Sequence, residues 1–158
     1  VHADVEVKKR YERPRQRVFD TLVACDTLPR ICRRRGPIAA IVEATMVDDA
    51  PLEVGAHRTV RMDDGVVLDE EIVALERPSL HAYAWSGGLK IPFAWVVRGA
   101  EGRWTFEDSD GGTTVAWSYR FELTSPIVYP VAAIATVLFR RWMSAALDRA
   151  TELLERPV

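Results

Sequence analysis

Two histidines and a set of regularly spaced aromatic and charged residues are the groups in this chain that could do chemistry. An unperturbed imidazole titrates near neutrality, so His57 and His81 are the candidate acid–base groups. His81 shares a period-two register with Tyr83 and Trp85. Trp104 and Phe106 alternate in the same way, as do Trp117, Tyr119 and Phe121. Turned inward, these faces would offer flat apolar surface with a few polar edges, which suits the lining of a hydrophobic-ligand pocket. The same pattern describes an ordinary aromatic core, and one β-bulge would invert part of it. His57 opens a strand and reads as a surface residue, while His2 is terminal.

Charges also fall within the expected strands: Arg58, Arg61, Glu70, Glu71, Arg103, Glu107 and Arg120. On an outer face they would form ion pairs worth little. Inside a cavity an arginine needs a carboxylate or an anionic ligand. There it could hold a phenolate or enolate as charge develops. Register places Arg120 opposite the aromatic face, in solvent. Arg30, Arg33, Arg34 and Arg35 form the basic cluster of the chain and read as a solvated rim, with phosphate, lipid headgroups or an acidic partner as the other readings.

Several classes of chemistry have no motif. There is no Gly-x-Ser-x-Gly, no P-loop and no dinucleotide fingerprint. No two histidines stand at metal-ligand spacing, and Cys25 and Cys32 belong to neither a C-x-x-C pair nor a ligand cluster. No metal and no cofactor are therefore expected. Lys and Arg total 21 against 23 Asp and Glu, a formal charge of -2, which argues against a dedicated nucleic-acid binder. A reduced cytoplasmic protein is the expectation from the cysteines. Val1 to Asp4 carry no apolar stretch of the signal-peptide kind.

The elements that must position these residues follow from periodicity. Residues 3–11 alternate as a half-buried strand, and Arg13-Pro14 breaks it. Val18, Phe19, Leu22 and Val23 recur at helical spacing over 15–23, and a second short helix is expected through Leu28, Pro29 and Ile31. Strands follow at Ile38–Met46, His57–Met62, 66–75, Leu80–Ser86, Gly102–Asp108 and Thr113–Leu123, joined by turns such as Asp63-Asp64-Gly65 and Asp110-Gly111-Gly112. Segment 89–99 alternates, but Pro92 makes it an edge strand or a loop. A long helix over Pro126–Leu154 closes the chain. Its second half is amphipathic, with Trp142, Leu147, Ala150 and Leu154 near one stripe. From Ile127 to Phe139 it carries no charge, which is more apolar surface than packing on a sheet requires. The uncharged run Leu123–Phe139 is shorter than the ~20 residues of a spanning helix, so no transmembrane segment is expected, while contact with a membrane surface stays open. The whole chain, residues 1–158, fits one domain.

This order resembles the START-like, or Bet v 1-like, superfamily, and more narrowly its bacterial polyketide cyclase/dehydrase and lipid-transport group. Pro14 with Val18, Phe19 and Leu22 is similar to the opening helix of that group. Leu52-Glu53-Val54-Gly55, Arg58, Val60 and Gly65 resemble its central hairpin, Glu71, Val73 and Pro78 the strand and turn after it, and Gly111-Gly112-Thr113 with Val115 the turn into the last strand. The resemblance implies an α+β helix-grip fold: a curved antiparallel sheet of about seven strands around a long C-terminal helix, with two short helices after the first strand. It also implies a cavity between sheet and helix for a hydrophobic small molecule. Tyr83, Trp85, Trp104, Phe106, Trp117, Tyr119 and Phe121 are the expected lining from the sheet. Tyr129, Ile134 and Leu138, from the uncharged half of the helix, are expected to line or lid the cavity, with Pro130 loosening the helix start. Arg58 and Glu71 fall in the resembling stretches, and with His81 they are the catalytic candidates, although register alone does not turn either inward.

Binding of a lipid-like or polycyclic molecule is the first functional expectation. A cyclase, aromatase or dehydratase acting in the same cavity is the second, since folding a reactive chain is largely a positioning problem. A protein-interaction module without a ligand is the third. A polar pair involving His81 would favour the enzyme, a smooth apolar pocket the binder, and a cavity filled by Trp85, Trp104 and Trp117 the interaction module.

Overall fold

Alternation of apolar and polar residues builds the sheet. In the computed structural model, which describes residues 1–156, β1 (His2–Tyr11) buries Ala3, Val5, Val7 and Tyr11 and exposes Asp4, Glu6 and Lys8. Two short helices follow, α1 (Arg15–Leu22) and α2 (Leu28–Ile31), each burying its apolar stripe. Then come β2 (Ile41–Met46), β3 (His57–Met62), β4 (Val67–Glu76), β5 (Leu80–Ser86), β6 (Val97–Ser109) and β7 (Gly112–Leu123). The last helix, α3, runs Tyr129–Glu155. The seven strands form one antiparallel sheet in the order β1-β7-β6-β5-β4-β3-β2. The connections from β2 through β7 are therefore all between neighbours, and the first strand returns beside the last. This is the expected helix-grip architecture.

The structure moves the starts of β2, β6 and the last helix, which begins at Tyr129 after a 3₁₀ turn at Pro126–Val128, and decides between the two readings of segment 89–99. The chain before β2 is not yet a strand at Ile38, because Arg35 and Ile38 exchange backbone hydrogen bonds around a tight turn at Gly36-Pro37. Segment 89–96 is a loop with one 3₁₀ turn at Phe93–Trp95, consistent with a proline that has no N–H to give a ladder. Strand β6 starts at Val97, five residues before the expected start at Gly102. Its glycines are places of close approach, not breaks. A Cβ on Gly99 would lie 2.6 Å from the Trp85 carbonyl oxygen, and one on Gly102 would lie 2.5 Å from the Tyr83 ring. Gly102 is what lets Tyr83 lie flat across its neighbouring strand.

The C-terminal half of α3 closes the core. Trp142, Met143, Ala146, Leu147, Ala150 and Leu154 are all buried, against β1, α1 and α2. Pro130 stands in the first turn of α3, where a missing N–H costs nothing. It therefore does not loosen the first turn, and the 3₁₀ turn Pro126–Val128 ahead of α3 is capped by Ser125 Oγ, which accepts a hydrogen bond from Ile127 N at 3.2 Å. The helix is also pinned to the sheet by one buried polar contact: the Tyr11 hydroxyl donates to the Leu147 carbonyl at 2.7 Å. Tyr11→Phe keeps the ring and removes this bond, leaving one buried carbonyl with one partner fewer. Urea titration is expected to show a loss of about 1 kcal/mol with an unchanged slope.

Candidate functional site

The small residues of α3 make the space. On the inner face of its first half stand Ala132, Ala135 and Thr136, where the second half carries Trp142, Met143 and Leu147. Ala132 meets only the end of the sheet, beside Ala3 and Leu123, and a cavity of about 160 Å³ lies between this stretch of helix and the strands. Its sheet wall is Val60, Leu68, Glu70, Trp85, Tyr119 and Phe121. Phe139 and Trp142 close it toward the core. Pro37, Ile38 and Ala39 before β2, and Leu89 and Phe93 of the loop before β6, also border it.

The wall holds one polar cluster, positioned by the ladder. Strand β4 turns Leu68, Glu70 and Ile72 inward and exposes Asp69 and Glu71. Arg58 on β3 is the direct cross-strand neighbour of Glu70, and both are buried, at 2% and 4% exposure. Arg58 Nε donates to Glu70 Oε1 at 2.9 Å, and Nη2 lies 2.7 Å from the same oxygen. The guanidinium also sits 5.1 Å from the centre of the Tyr83 ring. Tyr83 and Tyr119 share a hydrogen bond of 2.6 Å between their hydroxyls, and Trp117 Nε1 donates to the Tyr83 oxygen at 3.2 Å. If Tyr83 spends its proton on Tyr119, the Tyr119 proton is free for a group in the cavity.

Burial sets the protonation states. Burial pushes the Glu70 carboxyl above the ordinary range, and Arg58 beside it pulls partway back. Burial opposes the Arg58 charge, but Glu70 outweighs it, so this arginine stays charged. Both tyrosine hydroxyls are pushed up by burial and then by nearby negative charge or the neighbouring phenol, and remain neutral.

The sequence-derived candidates separate into groups. Trp85, Tyr119 and Phe121 border the cavity. Tyr83, Trp104, Phe106 and Trp117 face inward but lie below it as packed core: Trp104 and Trp117 stack at 4.3 Å and 14°. Tyr129 and Ile134 sit on the outer face of α3, at 50% and 68% exposure, and Leu138 is half-buried away from the cavity wall. Helical geometry is the reason: Ala132, Ala135 and Phe139 take the inner stripe, and Tyr129 and Ile134 fall outside it. Glu71 points to solvent, so the carboxylate paired with Arg58 is Glu70 instead. The inward register of Leu68, Glu70 and Ile72 was the available signal for Glu70. His57 is exposed beside Asp69, with Nδ1 3.1 Å from a carboxylate oxygen.

His81 is 1% exposed, and neither ring nitrogen has a hydrogen-bond partner. It packs on Tyr83 at 5.4 Å between centroids, outside the cavity wall. Burial, then the charges of Arg58 and Arg77, pull its pKa down to about 3, so it is a neutral core group. Among the described residues no three His, Cys, Asp or Glu side chains converge to hold a metal ion, and no helix is long and apolar enough to cross a membrane.

Comparison with known proteins adds the following. The family model described as "Polyketide cyclase / dehydrase and lipid transport" matches residues 2–156. No curated protein matches by sequence. Among solved structures, Ara h 8.0201 superposes with a TM-score of 0.63 at 16% identity, covering 94% of this chain and 99% of its own. The major latex-like protein 151 of Panax ginseng gives 0.68 at 14% identity, covering 98% and 99%. The protein MLL2253 of Mesorhizobium loti gives 0.67 at 17% identity, covering 95% and 98%. At these identities the likeness is one of fold.

Two measurements test the electrostatics. Glu70→Gln leaves the Arg58 charge buried without its counterion and is expected to cost roughly 3–5 kcal/mol in urea unfolding, whereas Arg58→Met combined with Glu70→Leu recovers most of that loss. For His81, the unfolded chain takes up a proton below the ordinary value of 6.5 while the folded chain refuses it until about 3. Stability that this residue confers is therefore full above 6.5 and falls as pH drops toward 3, with a slope approaching about 1.4 kcal/mol per pH unit. His81→Leu is expected to flatten that slope, so that the variant gains on the parent as the buffer is acidified.

Proposed function

The chain belongs to the polyketide cyclase / dehydrase and lipid transport family, and from that membership we propose that its cavity binds a compact, uncharged, largely apolar molecule, of fused-ring or short lipid-like build, with a hydroxyl or carbonyl at one end. The observation that carries this reading is the charge on the cavity wall. Among the described residues the charged ones there are Glu70 and Asp64, both acidic, and no cationic side chain borders the space. Arg58 is already committed to Glu70 from behind. An anionic headgroup entering would meet a carboxylate with no countercharge of its own, while a hydroxyl could donate to Glu70 and a carbonyl could accept from Tyr119. The size is restrictive too. About 160 Å³ is below the ~300 Å³ at which pockets for drug-sized ligands begin.

One observation supports a second reading, catalysis of a cyclisation or dehydration. Glu70 is a buried carboxyl with a raised pKa on the wall of the cavity, within the group of buried hydroxyls and charges that includes Tyr119. A carboxyl poised in this way can take and return a proton. His81 does not serve that role, since it stays neutral away from the wall.

Titration with 2-naphthol and 2-naphthoate, which share one ring system and differ in charge, separates the outcomes. The naphthol is expected to bind at least about tenfold more tightly. Ala135→Leu, which fills the cavity from the helix side, is expected to abolish binding without loss of folding. Equal or tighter binding of the naphthoate overturns the proposed ligand class. Naphthol binding unaffected by Ala135→Leu overturns the proposed site.

A further inference from the structure

The uncharged half of α3 is apolar on two faces, and only one of them is used by the cavity. On the other, Val131, Ile134 and Val137 recur at helical spacing and are 57%, 68% and 45% exposed, and Ile127, in the 3₁₀ turn Pro126–Val128 just ahead of α3, is 84% exposed. Two more large apolar side chains, Ile91 and Trp95 of the loop before β6, are 64% and 65% exposed. That loop is joined to the start of the helix segment: the Thr124 hydroxyl donates to the Trp95 carbonyl at 2.6 Å, and Thr124 N donates to the Val96 carbonyl at 3.0 Å. Val96 and Val128 pack into one small cluster with Ala132. Helix and loop therefore stand side by side, and both border the cavity, through Ala132 and Phe93. A contiguous apolar surface of this kind on a protein marks a contact.

Basic residues flank it. Arg140 and Arg141 follow directly on the helix, with Arg141 one turn beyond Val137. Arg33 and Arg35 precede Pro37 and Ala39, which border the same cavity. All four are exposed, and none has a carboxylate partner among the described residues. An apolar face rimmed by arginines without carboxylate partners is complementary to an apolar layer bordered by anionic headgroups. We propose that this face rests on an anionic lipid bilayer. Ile127, Val131, Ile134 and Trp95 enter the headgroup boundary, and the arginines meet lipid phosphates. Docked in this way, the cavity opens toward the apolar phase from which an uncharged ligand would come. The contact itself does not rest on ligand binding.

The test uses the full chain with phosphatidylcholine vesicles, either pure or containing about one third phosphatidylglycerol. Trp95 is the exposed one of five tryptophans, so its insertion dominates any shift in emission. Sedimentation with the mixed vesicles and a blue shift are expected, with little binding to the pure ones. Ile134→Asp is expected to lower partitioning roughly tenfold, and Arg140→Glu with Arg141→Glu to remove the preference for anionic lipid. Both sets of substitutions are at exposed positions, and retained 2-naphthol binding reports an intact cavity. Absence of vesicle binding, or binding indifferent to these substitutions, overturns the proposal. So does a doubled mass in sedimentation equilibrium that Ile134→Asp restores to one copy, which would make the face an interface between chains.

Discussion

A sheet of seven strands is wider than one helix. Six spacings of about 4.8 Å make a surface roughly 29 Å across, while a helix with its side chains covers about 10–12 Å. Curvature narrows the gap without closing it. The helix spends its large residues at one end, where Trp142, Met143 and Leu147 meet β1 and the short helices. At the other end it offers alanines, and the loops around Pro37 and Phe93 supply the remaining cover. The cavity is thus what remains after an unequal division of bulk along α3. Everything that faces it, including Glu70 and Tyr119, is placed by strand register on the opposite side.

The Arg58–Glu70 pair illustrates why such a site stays polar without becoming charged. Two ions leaving water lose several kcal/mol of hydration each, and their attraction roughly offsets this when hydrogen bonds are well made. The pair is therefore poor evidence of stability. Its effect is on composition: it leaves an oxygen at an apolar wall while the local net charge remains near zero. Its influence spreads to neighbours. The Arg58 charge helps to keep His81 neutral, and Glu70 adds to the cost of ionising Tyr83. Three strands, β3, β4 and β5, are coupled electrostatically through side chains that never see bulk solvent.

Much of the fold was legible because β1, β4 and β7 alternate with a period of two and the turns at 63–65 and 110–112 carry glycine. The order of elements, the hairpin at Asp63-Asp64-Gly65 and the buried stripe of α3 all follow from such local signals. The site was less legible, for identifiable reasons. Period-two arguments say which residues share a face, and Tyr83, Trp85, Trp104, Trp117 and Tyr119 do share the inner one. They do not say how high above the sheet the opposing helix rides, and that height decides which of them touch empty space. Small residues on the helix carried that information. Glu71 and Glu70 differ by one residue, and one residue is a whole face. For the uncharged helix half, the sequence showed an excess of apolar surface but not that Ile134 and Ala135 would divide it between outside and inside.

The stacked pair beneath the cavity has an optical side. Two indoles at 4.3 Å and 14° are close enough, and parallel enough, for their excited states to mix. Trp142 lies 5.9 Å from one of them and also borders the cavity. Excitation absorbed anywhere in this trio is shared, and an aromatic molecule seated above would join the same chain of chromophores. The protein thus carries a native antenna directly under its candidate site, responsive both to the integrity of the core and to what occupies the space above it.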